Sequence, residues 1–166
     1  LYYMIAYALG VGCVFGVAAV VLGSDARDEF DQLVGLHKRS PYLAGVLAFG
    51  VTSLAGIPPM AGFFGKFLLL KSGIGSASDK PGLAGLVGIM ILGIVISIYY
   101  YFNLLRVVYW TSPPKETEPI RVSWPMIVAL GAMVCGIVWL GIFPAWMLRV
   151  TLSAAVASVG SAVSGP

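Results

Sequence analysis

Charge is what this sequence has least of: Asp, Glu, Lys and Arg make up 10% of its residues, where a soluble domain carries about a quarter. With 59% of the residues hydrophobic, that shortage excludes a chain that buries its apolar surface in one aqueous core. The excess needs lipid or partner protein to cover it. Cysteine is nearly absent too. Cys13 and Cys135 each stand alone in an apolar run and no C-x-x-C occurs, so metal and redox readings lack support, and both read as small lipid- or core-facing residues. A basic face interleaved with aromatics is also missing. The net charge of +3 comes from scattered residues and the pair Lys38–Arg39, which excludes a nucleic-acid surface and fits an orientation signal of a membrane protein. No Walker motif, nucleophile elbow or metal-ligand cluster occurs. Gly10, Gly12 and Gly16 approach a dinucleotide fingerprint, but the last spacing is wrong and no strand precedes them. No basic segment precedes the first apolar run, and the chain opens on Leu1 rather than Met; it reads as starting inside a longer protein rather than at a signal peptide.

What is there is a series of long apolar runs, at about 1–22, 41–71, 83–110 and 124–147. A helix rises about 1.5 Å per residue, so about 20 residues cross a hydrocarbon core of about 30 Å. The fold class expected is all-α: a polytopic transmembrane bundle of four spans in a single membrane domain over 1–166. Trp124 and Trp146 sit about 33 Å apart on a helix, one for each interface. Between the first two spans, 24–40 is the most charged stretch and must meet water. Ser24 or Asp25 is a candidate cap for a short helix, Phe30, Leu33, Val34 and Leu36 are suited to rest on the membrane surface, and His37 reads as solvated or interfacial. The segments Gly73–Gly82 and Thr111–Ser123 read as turn and loop.

The second span begins at Pro41, a favourable first helical residue, and is long for one straight crossing. Its middle reads Ser53-Leu54-Ala55-Gly56-Ile57-Pro58-Pro59-Met60-Ala61-Gly62. Pro58 and Pro59 remove two backbone donors and clash with the preceding turn. Two half-helices joined by an extended break are therefore expected, with Gly56, Pro58, Pro59, Gly62 and Gly65 forming or flanking it. Freed backbone at membrane depth must be buried in protein or face water-filled space, as where transporters handle ions. Lys66 follows, flanked by Phe63, Phe64 and Phe67, and is the ionisable residue set deepest in any apolar run. Hydrocarbon penalises its charge, which leaves two readings: an amine that exchanges a proton, or a side chain snorkelling toward the interface that Lys71 marks.

Tyr99, Tyr100, Tyr101, Tyr109 and Trp110 suggest an interfacial band with Arg106 reaching outward, and Asn103 suits packing better than a hydrated path. Gly12, Gly16, Gly82, Gly85, Gly88, Gly136 and Gly141 suit close helix approach. One set of loops carries Arg27, Lys38, Arg39, Arg106, Lys115 and Arg121 and the other Lys71, Lys80 and Arg149, which places the first set inside and both chain ends outside.

Gly35-Leu36-His37-Lys38-Arg39-Ser40-Pro41, Ser53-Leu54-Ala55-Gly56-Ile57-Pro58-Pro59 and Gly62-Phe63-Phe64-Gly65-Lys66-Phe67, with Tyr99-Tyr100-Tyr101 ahead of Arg106, closely resemble the subunit N family of bacterial NADH-quinone oxidoreductase (respiratory complex I) over roughly Tyr2 to Trp146. The family is antiporter-like, with about fourteen helices in inverted repeats. The resemblance implies that this chain is the C-terminal part, helices eleven to fourteen, with the second repeat's discontinuous helix at Pro58 and a proton-pathway lysine at Lys66. It implies proton translocation coupled to quinone reduction, a multi-pass place in a bacterial inner (plasma) membrane, and partners among lipid and the other membrane-arm subunits. NADH, FMN, iron–sulfur clusters and quinone are then expected on those partners and no cofactor on this chain. The first repeat, with its glutamate and central lysines, has no counterpart here. A subunit of a multi-subunit cation/proton antiporter is the alternative, and a purely structural bundle the third reading.

Overall fold

Long apolar stretches wind into helices because a helix satisfies its own backbone hydrogen bonds where water cannot. In the computed structural model, which describes residues 2–22, 31–77, 81–111 and 119–144, every regular element is helical. Helix α1 is Tyr2–Leu22; a 3₁₀ turn, Asp31–Leu33, leads to the short α2, Leu36–Arg39; α3 is Pro41–Ala55, α4 Ala61–Ala77, α5 Pro81–Trp110 and α6 Trp124–Ile142. Among the described residues α1, α5 from Ala84 and α6 are long and apolar enough to cross a membrane, and α3 is a shorter apolar helix. The expected cap at Ser24 or Asp25, Phe30, Asp79, Lys80, Lys115, Trp146 and Arg149 lie outside the described residues.

Helix α1 is the hub: it packs on α3, α6 and α4, while α4 and α3 also carry α5. Side chains such as Cys13, Val17, Leu43, Val51, Leu130 and Ile137 are fully buried at these contacts. In lipid, helices associate through close packing more than through exclusion of water. The crossing of α1 and α3 shows this: a Cβ on Gly50 would lie 2.7 Å from Cys13 Cβ and 3.1 Å from the Gly10 carbonyl oxygen. Helix α3 starts as expected. Ser40 caps it, its Oγ accepting from Leu43 N–H at 3.4 Å, and Pro41 occupies the first turn.

Several expectations are corrected. Helix α6 is interrupted after Ile142, where Phe143, ahead of Pro144, leaves the helical region at φ −117° and ψ 56°; 145–147 of the expected fourth span lie outside the described residues. Helix α4 runs on through Gly73 and Gly75 to Ala77, past the expected end at 71, since a mid-helix glycine costs only about 1 kcal/mol and no proline intervenes. Leu36 is fully buried in the core rather than resting on a membrane surface. His37 is half-buried: its Nδ1 donates to the Val108 carbonyl at 2.9 Å and its ring stacks on Tyr109 with centroids 5.8 Å apart. Gly85 and Gly88, expected at helix contacts, face open space in this chain.

Candidate functional site

A helix leaves its last four carbonyls without intrahelical partners, and away from water each needs one. At the end of α3 two are met by the backbone. Gly56, at φ 83°, bends the chain so that its N–H donates to the Ser53 carbonyl at 3.0 Å, while Ile57 N–H donates to that of Thr52 at 3.2 Å. This is the usual way a left-handed glycine closes a helix. The other two, Leu54 and Ala55, accept from Lys66 Nζ at 2.8 Å and 3.2 Å. The amine thus completes the helix end that the glycine begins to close.

Lys66 reaches those carbonyls because α4 turns back from the break and because helical side chains lean toward their own N-terminus. Its amine points at α3, not along α4 toward Lys71, so this is not the geometry of snorkelling. The C-terminus of α3 carries roughly half a negative charge from its aligned peptide dipoles, and hydrogen bonds from an ionised donor contribute about 1.5–3 kcal/mol each. Both offset the cost of holding a half-buried ammonium.

The start of α4 is tied to the same place. Ser53, fully buried, accepts through Oγ from Gly62 N–H at 3.3 Å. A Cβ on Gly62 would sit 1.8 Å from the Ser53 carbonyl oxygen, so no side chain fits there. Gly65 lies against Tyr3 of α1, its Cβ position 2.8 Å from Tyr3 Cδ2. Pro58 and Pro59 are exposed on the outside of the bend, where their missing N–H groups leave nothing unsatisfied. Behind them, a Cβ on Gly141 of α6 would come 2.0 Å from the Pro59 carbonyl oxygen. The expected residues Gly56, Pro58, Pro59, Gly62, Gly65 and Lys66 therefore fall in one place.

The structure adds residues that sequence reasoning missed. Lys66 borders a cavity of about 100 Å³ shared with Tyr3 and Tyr7 of α1, Ser53 of α3, and Ser97 and Tyr101 of α5. It also borders a more open groove of about 290 Å³ with Tyr3, Met90 and Ser97. Tyr101 thus belongs to the lysine's surroundings, whereas Tyr99 and Tyr100 are exposed. A signal was present: Tyr3 and Tyr7, like Ser97 and Tyr101, are four residues apart and share a helix face. Asn103 does not pack within the chain; it is exposed in a shallow groove of about 730 Å³ with Arg106 and Trp110.

A family profile described as NADH:quinone oxidoreductase/Mrp antiporter, TM, matches residues 1–92. The chain is 40% identical over 160 residues to NADH-quinone oxidoreductase subunit N 1 of Opitutus terrae, covering 89% of this chain and 31% of that protein. It is 35% identical over 156 residues to NADH-quinone oxidoreductase subunit N of Moorella thermoacetica, covering 94% and 32%. Among solved structures it is similar to a chain of respiratory complex I from Thermus thermophilus with bound aureothin, at a TM-score of 0.73 and 28% identity, over 89% of this chain and 33% of that one. The chain spans about a third of the length of the curated relatives it matches. Its apolar helices and these relatives make it a multi-pass membrane protein. The profile covers more than half of its residues, and the chain belongs to the NADH:quinone oxidoreductase/Mrp antiporter transmembrane family.

Proposed function

We propose that this chain is part of a membrane-arm subunit of a proton-translocating NADH:quinone oxidoreductase, holds no redox group itself, and contributes Lys66 to the proton pathway. The relatives named as subunit N and the likeness to a complex I chain support the assignment. The observation that carries the role of Lys66 is its amine on the two remaining carbonyls of α3. At that point the helix dipole favours the ammonium and the apolar surroundings oppose it. With the two effects opposed, a change in nearby charge loads or unloads the proton, and quinone reduction elsewhere in the complex supplies such a change. Half-helix C-termini that face cations recur in transporters.

On this reading 41–77 crosses the bilayer as one discontinuous span, the second of four, and 1–166 is one membrane domain corresponding to the last helices of an antiporter-like subunit. Both ends face the outer side of a bacterial inner membrane. The other membrane-arm subunits and lipid cover the apolar faces, and NADH, FMN, iron–sulfur clusters and quinone reside on partner subunits.

The test is Lys66→Met in the assembled complex. Proton translocation is expected to fall by about tenfold or more, as for loss of a positioned proton-transfer group, while the complex still assembles. Translocation at the unsubstituted rate would refute the role of Lys66. A second reading, a subunit of a multi-subunit cation/proton antiporter, is favoured by the breadth of the family's description. Cation-dependent proton exchange by the purified assembly with no redox partner would establish it in place of the first.

A further inference from the structure

We infer that the Tyr101 hydroxyl is the proton-relay partner of Lys66, with Tyr3 and Tyr7 extending the relay toward the surface of the bundle; this rests on the proposed function of Lys66. All three tyrosines border the cavity of about 100 Å³ that holds Lys66. It has room for several water molecules, each of which takes about 30 Å³ in the liquid. A phenol both donates and accepts, and it relays only if its hydroxyl is not held by another protein group.

The surrounding hydroxyls separate on that criterion. Tyr2, one residue before Tyr3, donates to the Leu140 carbonyl at 2.9 Å and is committed to joining α1 with α6. Ser97 Oγ donates to the Ile94 carbonyl at 2.8 Å, which leaves it as an acceptor that can anchor water. Ser53 Oγ accepts from Gly62 N–H. Among the described residues Tyr3, Tyr7 and Tyr101 make no hydrogen bond to another protein group, and no buried side-chain nitrogen or oxygen is left without a partner, so their hydroxyls open onto the cavity or the surface. Tyr101 is half-buried and faces α1 and α4 from α5, while Tyr7 is 51% exposed. Among the described residues, the cavity's lining thus offers rotatable donor–acceptor groups and no charged side chain other than Lys66.

The step balances. The Lys66 ammonium gives a proton to a cavity water; that water passes one of its own protons to Tyr101 Oη as Tyr101 releases its hydroxyl proton onward. Lys66 ends neutral, water and tyrosine end unchanged, and one proton has moved. The reverse sequence reloads the amine.

The test uses the assembled complex carrying Tyr101→Phe, which keeps the ring, with Tyr2→Phe as control and Lys66→Met alongside. Proton translocation in Tyr101→Phe is expected to fall by about tenfold, and the solvent deuterium isotope effect on coupled turnover to rise; a loss of packing alone would not change that isotope effect. Tyr2→Phe should leave both unchanged. Should Tyr101→Phe fail to assemble, Tyr7→Phe at its more exposed position carries the same two readouts. Normal translocation and an unchanged isotope effect in the tyrosine variant, with Lys66→Met inactive, overturn the relay and leave the lysine's role standing. Normal translocation in Lys66→Met removes that role and the relay with it.

Discussion

Two long apolar segments, 41–77 and Pro81–Trp110, are of similar character and fold differently. Both are rich in glycine and each begins at a proline. The second is one continuous helix, and its Gly85, Gly88 and Gly93 meet nothing within 4 Å. The first divides at 56–60 into α3 and α4, and while its Gly45 and Gly75 also meet nothing, three glycines nearer the division are pressed against backbone and side chains: Gly50 on α1, Gly62 on Ser53, Gly65 on Tyr3. Glycine content therefore does not divide an apolar segment. What breaks it is a proline pair inside the run together with groups that receive the exposed backbone, here Gly56, Ser53 and Lys66. Without those groups each orphaned carbonyl would cost several kcal/mol in hydrocarbon.

The contrast can be broken most sharply at Gly62. Gly62→Ala forces a methyl into the Ser53 carbonyl, with backbone on both sides, and is expected to destabilise by about 3 kcal/mol or more, read as loss of assembled protein or a large fall in its melting temperature. Ser53→Ala removes one buried tie between the two half-helices and leaves the Gly62 N–H without its acceptor. A cost of about 1–3 kcal/mol is expected in the same melting measurement. Gly88→Ala on α5 is expected to have the smallest effect, from neutral to a gain of at most about 1 kcal/mol. A severe loss there would instead place another chain against that face and show that the openness of α5 ends in the assembly.

The break was legible because Pro58 and Pro59 act locally: each removes a donor whatever the tertiary context. Lys66 was legible because a charge in an apolar run stands out by composition. Its bonding was not, since the Leu54 and Ala55 carbonyls come within reach only after the chain reverses at Gly56. The sequence alone therefore offered proton exchange and snorkelling as the readings and missed a lysine that caps a helix end. The place of Tyr101 beside Lys66 was not legible for another reason. In three consecutive tyrosines the rings point about 100° apart around the helix, and only the packing of α5 on α3 and α4 selects which one turns inward. The interruption of α6 after Ile142 was not read, although Pro144 carries the signal, because hydrophobicity continues past it.

The central claim is that Lys66 holds the C-terminus of α3, and it can be measured without reference to transport. Solid-state NMR in lipid, with ¹⁵N at the lysine side chain and ¹³C at the carbonyls of Leu54 and Ala55, reads the distances directly. With Nζ 2.8 Å and 3.2 Å from the two carbonyl oxygens, measurable dipolar couplings to both carbonyl carbons are expected, at N···C separations of roughly 4 Å once the C=O bond of about 1.23 Å is added, and both are lost in Lys66→Met. An amine with no coupling to either carbonyl, and with protons exchanging as fast as those of a lysine in bulk water, would contradict it.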